Sequence, residues 1–287
     1  MIEWPEPLKQ DLARRRTVLY LGSGISANAT SADGAQHPPV WEAFLRDCVP
    51  KLDGDTTHIV KAIDERQYLD ACEWIRRRLD DRWIPTLREA FVEPRYKSAA
   101  IHQHIFDLDA RFVLTPNFDK IYDGHAESES DGTTIVKSYS DPDLADLFRI
   151  NARTVLKVHG SIDSPTAMIF THSDYASARI HHAQFYRILD ALVLTHTFLF
   201  LGCGISDPDI QLFLEHYRYA HKPSLPHYIT LPTPIHDDLR YSLREQLNLK
   251  TLAYDPASGH TELAESLKSL AVEVDAIRAT IADAQTW

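Results

Sequence analysis

Asparagine, aspartate and histidine side chains follow two predicted strands, at positions where they could orient a substrate or move a proton. In the string VLTPNFDKIYD, Asn117 and Asp119 come directly after the strand. In the string VLKVHGSID, His159 ends the strand and precedes Gly160. An amide can orient a hydroxyl or a water, a carboxylate can stabilise positive charge, and an imidazole exchanges a proton near neutral pH. The structural alternative makes Asn117 a turn residue and Asp119 the N-cap of a short helix.

A glycine-rich string, LGSGISA, follows the first predicted strand. Gly22, Gly24 and Ala27 have the G-x-G-x-x-G/A spacing at which backbone N–H groups can hold a diphosphate. A dehydrogenase with this spacing would continue into a helix, a second strand and an acidic ribose ligand about 20 residues on. In this chain a polar, proline-bearing loop over residues 28–39 follows, and Glu42 falls on a predicted helix. The pattern therefore favours phosphate binding over hydride transfer, although strand-to-helix turns also need glycine for steric reasons.

A second glycine-rich string, FLFLGCGISDPDI, follows a later strand. Gly202, Cys203 and Gly204 are candidates for backbone contact with a nucleotide, because glycine lets a bound group approach the main chain closely. Asp207 and Asp209 flank a proline, which is also the pattern expected at the start of a helix. That helix start is the preferred interpretation of the two aspartates.

Seven short apolar runs, rich in β-branched and aromatic residues, predict the strands that carry these strings. They lie at residues 17–21, 111–115, 134–138, 154–158, 197–201, 227–231 and 250–254. Amphipathic stretches between them predict helices at 41–49, 70–79, 183–192, 208–219 and 237–247. Such alternation is typical of an α/β fold with a doubly wound, mostly parallel, Rossmann-like sheet. In that fold the carboxyl ends of the strands form a ligand crevice, so the four strings should converge on one site.

The remaining segments indicate a single catalytic domain over residues 1–287. Residues 55–108 show a helical pattern without a strand, which predicts a helical insertion packed over one end of the sheet. A terminal helix is predicted over about 262–283, and it carries a heptad-like stripe of Leu263, Leu267, Leu270, Val274, Ile277 and Ile281. This stripe either covers the protein's own sheet or, where exposed, forms a surface for self-association.

Charge and composition exclude several classes of function for this protein. With 30 Lys and Arg against 41 Asp and Glu, the net charge of −11 argues against nonspecific binding to nucleic acid or anionic membranes. Three separated cysteines form no disulfide framework or zinc ribbon, and no histidine spacing predicts a metal site. The apolar stretches are too short for a membrane span or a signal sequence, so a cytoplasmic protein is expected. The arginine runs 14–16 and 76–78 are interpreted as solvated faces or partner contacts.

Taken in order, the four strings resemble the sirtuin-like family, and within it the bacterial branch of NAD-cleaving antiphage effectors rather than the histone deacetylases. GSGIS at 22–26 looks like the family's diphosphate loop, and TPNFD at 115–119 resembles its Thr-x-Asn-x-Asp motif. KVHGS at 157–161 resembles its histidine motif, and FLGCGISDPDI at 200–210 resembles its glycine-rich ribose loop. The resemblance covers roughly residues 17–270, without the zinc-ribbon cysteines of the deacetylases.

The resemblance implies that Asn117 and His159 form the catalytic pair, with Asp119 supporting the nicotinamide-ribose pocket. It also implies a nucleotide-binding set, which comprises Gly22, Ser23, Gly24, Ser26, Thr115, Gly202, Cys203 and Gly204. NAD enters as the substrate, and no metal is implied.

The implied activity is hydrolysis of NAD to nicotinamide and ADP-ribose by an antiphage effector that depletes NAD. An NAD-dependent protein deacylase or ADP-ribosyltransferase with the same pocket, and a nucleotide-sensing module without turnover, are the alternatives. Control by another copy of the chain or by a partner is expected, so a homo-oligomer, a HerA-type ATPase or a short Argonaute are the predicted partners. No direct contact with nucleic acid or membrane is expected.

Overall fold

The computed structural model describes residues 1–204, 208–220 and 225–284, without the side chains of residues 208, 209 and 212. Its strands are β1 (Thr17–Leu21), β2 (Phe112–Thr115), β3 (Ile135–Ser138), β4 (Thr154–Lys157), β5 (Thr197–Leu201), β6 (His227–Pro232) and β7 (Leu249–Tyr254). All pairings between these strands are parallel, and the order across the sheet is β3-β4-β2-β1-β5-β6-β7. The predicted α/β class with a doubly wound, Rossmann-like sheet is confirmed.

Helices cover both faces of the sheet. They are α1 (Glu6–Ala13), α2 (Ser23–Ser26), α3 (Trp41–Cys48), α4 (Thr57–Asp64), α5 (Tyr68–Leu79), α6 (Trp83–Phe91), α7 (Ala100–Asp107), α8 (Ile121–Glu129), α9 (His172–His181), α10 (Ala183–Thr195), α11 (Pro208–Ala220), α12 (Asp237–Leu247) and α13 (Ala257–Ala284). α1, α7, α8 and α13 pack on one face, and α9 to α12 pack on the other. Because both faces are covered, a central strand such as β1 is buried along its whole length, and four of its five residues are hydrophobic.

The strand order places a topological switch at β1. This strand pairs with β2 on one side and with β5 on the other. The chain therefore leaves β1 toward one edge of the sheet and later returns to its opposite side. Loops diverge at such a switch and leave a crevice at the carboxyl ends of the strands, which is where ligands bind in open α/β sheets.

Four helices between β1 and β2 form a separate apolar core beyond the carboxyl ends of the strands. α3 to α6 pack around Phe44 and Trp83, together with Phe170 from the loop after β4. The insertion predicted at residues 55–108 therefore differs in extent. It begins earlier, with α3, and it does not include α7, because the apolar side of α7 packs into the core of the sheet.

The apolar stripe of the terminal helix covers the protein's own sheet. Its buried members are Leu263, Leu267, Leu270, Val274 and Ile281, with Ile277 packed against the same cluster. The stripe is therefore not a surface for self-association, because its apolar area is already used in intramolecular packing. The regular part of α13 begins after residues 258–260, whose φ angles are 55°, 67° and 63°.

Two buried histidines lead us to expect a loss of stability below neutral pH. Burial lowers the pKa of His102 to about 4 and that of His227 to about 4, from an ordinary value of 6.5. Between pH 6.5 and pH 4 the unfolded chain therefore binds more protons than the folded chain, so stability falls as the pH falls through this window. Each histidine should cost about 2 kcal/mol of unfolding free energy between about pH 7 and pH 5, as measured by urea unfolding.

Asparagine substitutions should reduce this pH dependence. Nδ1 of His227 accepts the Phe198 N–H at 3.0 Å, and Nδ1 of His102 accepts the Ala99 N–H at 2.9 Å. Asparagine can accept the same hydrogen bonds but does not titrate, so His102→Asn and His227→Asn should each lose less stability on acidification. His181→Asn, at an exposed position, is the control. If the parent, both asparagine variants and the control lost the same stability on acidification, groups other than His102 and His227 would cause the acid sensitivity.

Candidate active site

A cavity of about 480 Å³ opens between the carboxyl ends of the strands and the helical insertion. Loops after β1, β2, β4 and β5 contribute to it, together with α3, α5 and α9. The predicted site residues that line it are Gly22, Ser23, Ser26, Asn117, Asp119, His159, Cys203 and Gly204. The predicted site residues that do not line it are Gly24, Thr115 and Gly202. The parallel sheet brings the lining residues together, because all its strands end at the same edge.

Asn117 is held by hydrogen bonds to the glycine-rich turn after β1. Its Nδ2 donates to the Gly22 carbonyl and to Ser26 Oγ, both at 3.0 Å. Its backbone N–H donates to Thr115 Oγ1 at 3.1 Å, and that hydroxyl donates to the Leu21 carbonyl at 2.8 Å. Because both amide hydrogens are used within the protein, Oδ1 is the atom of this side chain that can accept a hydrogen bond from a hydroxyl or water in the cavity.

Asp119 lies just before the helix after β2 and lines the cavity. Its Oδ1 accepts the Ile121 N–H at 3.0 Å in an Asx turn, but the N-cap of α8 is Lys120, so the structural alternative that makes Asp119 the N-cap is wrong. Its backbone carbonyl accepts a hydrogen bond from the buried Lys157 Nζ. The same ammonium lies 3.4 Å from Asp123 Oδ1, and burial raises the pKa of the Asp123 carboxyl. This buried network holds the loop that carries Asp119 against β4.

His159 faces the cavity from the end of β4. Its Nε2 lies 3.3 Å from the hydroxyl of Tyr175 on α9. Its backbone carbonyl accepts the Ile169 N–H at 3.0 Å. The next residue, Gly160, has φ +84°, and a Cβ there would lie 2.7 Å from the Ala167 carbonyl oxygen, so this turn requires glycine. The backbone and the ring of His159 are therefore both held by the segment that follows β4.

The loop after β1 and the loop after β5 pack against each other at three glycines, Gly22, Gly24 and Gly202. The Gly22 N–H donates to the Leu201 carbonyl at 2.9 Å, and the Gly24 N–H donates to the Gly202 carbonyl at 2.8 Å. A Cβ at Gly202, where φ is +62°, would lie 2.6 Å from the Ile25 nitrogen. The N–H groups of Gly22 and Gly24 are thus bonded within the protein, and the predicted contact of this turn with a nucleotide stays a prediction.

Alanine at Gly24 should destabilise the protein and weaken nucleotide binding. A Cβ at Gly24 would lie 2.7 Å from the Gly202 carbonyl oxygen and 3.1 Å from Gly202 Cα, so the two loops must separate. Over-packing of this kind costs about 1 to 3 kcal/mol. Gly124→Ala in α8 is the matched control, since a Cβ there meets nothing within 4 Å. Thermal unfolding and a titration with NAD are the measurements, and a stable Gly24→Ala protein with normal NAD binding would contradict the expectation.

An aromatic wall, defined by Trp41, Phe118 and Phe170, forms part of the cavity lining. The rings of Trp41 and Phe170 stack at a centroid distance of 5.4 Å and an angle of 16°, and those of Phe118 and Phe170 are 4.2 Å apart. Reasoning from strand ends missed Trp41 and Phe170, because they come from α3 and from a loop distant in sequence. Phe170 is 1% exposed and Phe118 is 9% exposed, so Trp41, which is partly exposed, is the ring of the wall best placed to stack against a planar aromatic group.

Charged side chains of both signs complete the lining. Arg66 lies in the turn between α4 and α5 and, within the described ranges, is the one arginine or lysine that lines the cavity. His172 Nε2 lies 3.6 Å from Asp70 Oδ1. This contact joins the start of α9 to the start of α5. The sequence offered no signal for these residues, since none follows a strand directly.

Some residues named in the sequence predictions lie outside the part of the chain that the structure describes. Asp207 and the side chain of Asp209 lie outside the described residues, whereas α11 begins at Pro208, where a helix start is predicted. Within the described ranges, no group of three or more His, Cys, Asp or Glu side chains is placed to hold a metal ion. In the same part of the chain, no helix combines the length and the apolar character needed to cross a membrane.

Comparison with known families shows which class of protein part of this chain is similar to. Residues 111–252 match the family described as SIR2-like domain. This match covers just under half of the chain, and it confirms the predicted resemblance to the sirtuin-like family.

Three curated relatives match between 48% and 73% of the chain at modest identity. NAD(+) hydrolase ThsA of Acinetobacter baumannii (strain 532279) is 25% identical over 209 residues, which cover 73% of this chain and 40% of that protein. NAD(+) hydrolase ThsA of Bacillus cereus (strain MSX-D12) is 22% identical over 184 residues, which cover 58% of this chain and 38% of the relative. Defense-associated sirtuin 2 of Bacillus subtilis is 25% identical over 144 residues, which cover 48% of this chain and 14% of that protein. The matches thus span less than half the length of each of these relatives.

Proposed function

We propose that this protein hydrolyses NAD at the bond between nicotinamide and ribose, and that it acts as an NAD-depleting antiphage effector. The observation that carries the proposal is the convergence of Asn117, Asp119 and His159 on one cavity at the switch of a parallel sheet. The SIR2-like domain and the relatives named as NAD(+) hydrolases and as a defense-associated sirtuin support it.

Catalysis of this reaction depends more on positioning the substrate and stabilising charge than on a general acid. The bond between ribose C1′ and the pyridinium nitrogen breaks, its electron pair goes to that nitrogen, and neutral nicotinamide leaves. Water adds to C1′ and loses a proton, which gives ADP-ribose. Because the leaving group is already cationic, no proton has to be donated to it, and the barrier lies in forming an oxocarbenium-like ribose.

The three candidate side chains have contacts that suit distinct roles. Asn117 Oδ1 would accept a hydrogen bond from a ribose hydroxyl or from the attacking water, because Nδ2 is held by the protein. Asp119 would stabilise the positive charge that develops on the ribose. His159 would accept the proton of the water or of a ribose hydroxyl. The aromatic wall would stack against the cationic nicotinamide ring.

The diphosphate would be held by Ser23, Ser26 and Arg66, which line the cavity. Ser26 Oγ accepts a hydrogen bond from Asn117, so its own hydrogen can be donated to a phosphate oxygen. With a net charge of −11, the protein as a whole repels a dianion, so these local groups must supply the attraction. The contribution of Gly202, Cys203 and Gly204 to ribose binding stays a prediction.

Nicotinamide release from NAD by the purified protein tests the proposal, measured with and without an acetylated peptide. Release without peptide, together with an equal amount of ADP-ribose, would support hydrolysis. Release that requires the peptide would identify a deacylase or an ADP-ribosyltransferase. NAD binding without release would identify a nucleotide sensor. Either of the last two results would overturn the proposal.

The predicted partners and location are part of the same proposal and stay predictions. A homo-oligomer would have to use a surface other than the buried stripe of α13. Light scattering on the purified chain tests self-association. Co-purification with a HerA-type ATPase or a short Argonaute tests control by a partner, and cell fractionation tests a cytoplasmic location.

A further inference from the structure

Tyr175, on α9, contacts the ring of His159 inside the cavity. The hydroxyl of Tyr175 lies 3.3 Å from His159 Nε2, and the two rings meet edge to face with centroids 5.2 Å apart. Tyr175 is 6% exposed and His159 is 8% exposed, so the contact is shielded from bulk water. Both residues line the cavity. The phenol is therefore placed to act on the imidazole that the proposed reaction uses.

The contact constrains this imidazole in two ways. The edge-to-face pair and the hydrogen bond at Nε2 restrict rotation of the ring about the Cβ–Cγ bond. A hydrogen bond at one ring nitrogen also selects which nitrogen carries the proton, and therefore which one has a lone pair to accept a proton. A base that serves one water or hydroxyl needs both the right orientation and the right tautomer.

The first turn of α9 fixes the place of Tyr175. Asp174 Oδ2 accepts the Phe170 N–H at 3.0 Å and the Thr171 N–H at 3.1 Å, while Thr171 Oγ1 accepts the Asp174 N–H at 3.2 Å. These bonds form a capping box at the start of the helix. Arg76 belongs to a run interpreted as a solvated face or a partner contact, and its Nη1 donates to both oxygens of Asp174, at 3.1 and 2.8 Å. The helical insertion is thus tied, through α5, to the residue next to Tyr175.

We propose that Tyr175 is a positioning residue that sets the orientation and the tautomer of His159, and that the Arg76–Asp174 ion pair holds Tyr175 in place. The kinetic consequence rests on the proposed function, whereas the state of the His159 ring can be measured without turnover. The geometry makes the helical insertion, which covers the cavity, a determinant of the catalytic arrangement beneath it.

Tyr175→Phe tests the proposal, because it removes the hydroxyl and keeps the ring. In long-range ¹H–¹⁵N spectra, assigned with His159→Gln, we expect one His159 tautomer in the parent protein and a mixture of both in Tyr175→Phe. With NAD, kcat should fall by about 10- to 100-fold while KM changes by less than about threefold. Tyr254→Phe is the matched control, because Tyr254 Oη lies 2.9 Å from His260 Nδ1 in a pair that does not line the cavity.

Arg76→Gln tests the anchoring step. We expect it to shift the His159 signals in the same direction as Tyr175→Phe and to lower kcat by about two- to fivefold, since the ion pair is partly exposed. Lys51→Gln removes an ion pair with Glu89 elsewhere in the insertion and should leave both readouts unchanged.

Two results would overturn the proposal. One is an unchanged tautomer in folded Tyr175→Phe, and the other is an equal loss of kcat in Tyr254→Phe. Should Tyr175→Phe not fold, the spectra of Arg76→Gln decide instead, and unchanged His159 signals there would refute the anchoring. A parent protein that binds NAD without releasing nicotinamide would refute the proposed function, whereas the ¹⁵N comparison would still decide the role of Tyr175.

Discussion

Alanine at Asn117 or at His159 should lower the rate of nicotinamide release from NAD by about 10² to 10⁴-fold. Asn117→Ala removes the Oδ1 acceptor, and His159→Ala removes the imidazole at the end of β4. Both side chains line a cavity and do not belong to the apolar core, so both variants should fold. Nicotinamide release and thermal unfolding, measured on the same preparations, separate lost chemistry from lost structure.

Asn28→Ala is the matched control for a lost amide donor at the same turn. Asn28 Nδ2 donates to the Gly24 carbonyl at 2.8 Å, but Asn28 does not line the cavity. Its activity should stay within about threefold of the parent. If Asn117→Ala or His159→Ala folds and keeps an activity within about threefold of the parent, the residue that it replaces is not catalytic.

Methionine at Lys157 should lower the unfolding free energy by about 3 to 5 kcal/mol. The Lys157 side chain is 2% exposed, and its ammonium donates to the Asp119 carbonyl and lies 3.4 Å from Asp123 Oδ1. Without it, a buried carboxyl and a buried carbonyl lose their donor, and the loop that carries Asn117 loses its support from β4. Urea unfolding measures the loss.

Two further proteins show whether the buried pair causes this loss. Asp123→Asn combined with Lys157→Met should recover part of the stability, because no carboxylate remains buried without a partner. Lys137→Met removes an ion pair with Asp143 at 2.7 Å, in which the aspartate is half exposed, and should cost less than about 1 kcal/mol. A Lys157→Met protein no less stable than Lys137→Met would show that the network does not hold the loop.

The amino-acid sequence by itself determined the strands, the fold class and the edge at which polar residues meet. The run TVLYL at 17–21 shows no alternation of apolar and polar residues because β1 is covered on both faces, whereas alternating patterns belong to strands with one solvated face. Since the strands are parallel, residues that follow them share one edge of the sheet. Asn117 and His159 were therefore predictable as neighbours of one cavity from their place after a strand.

Only the tertiary structure decided how the glycines are used. The spacing of Gly22 and Gly24 suits a bound diphosphate, and it equally suits the close approach of a second loop. The Gly22 N–H is bonded to Leu201 at the end of β5, and the Gly24 N–H is bonded to Gly202 in the loop after it, far along the chain. No local pattern distinguishes the two uses, because the partner of a backbone N–H is set by the strand that comes to lie beside it.

The tertiary structure also decided what covers each apolar face and which buried groups pair. The heptad-like stripe of α13 has the same spacing whether it packs on its own sheet or on a second copy, and it packs on its own sheet. Lys157 meets Asp123, and Tyr175 meets His159, only because α8 and α9 dock beside β4. Periodicity along a chain reports which side of an element is apolar, whereas the packing of distant elements determines what that side touches.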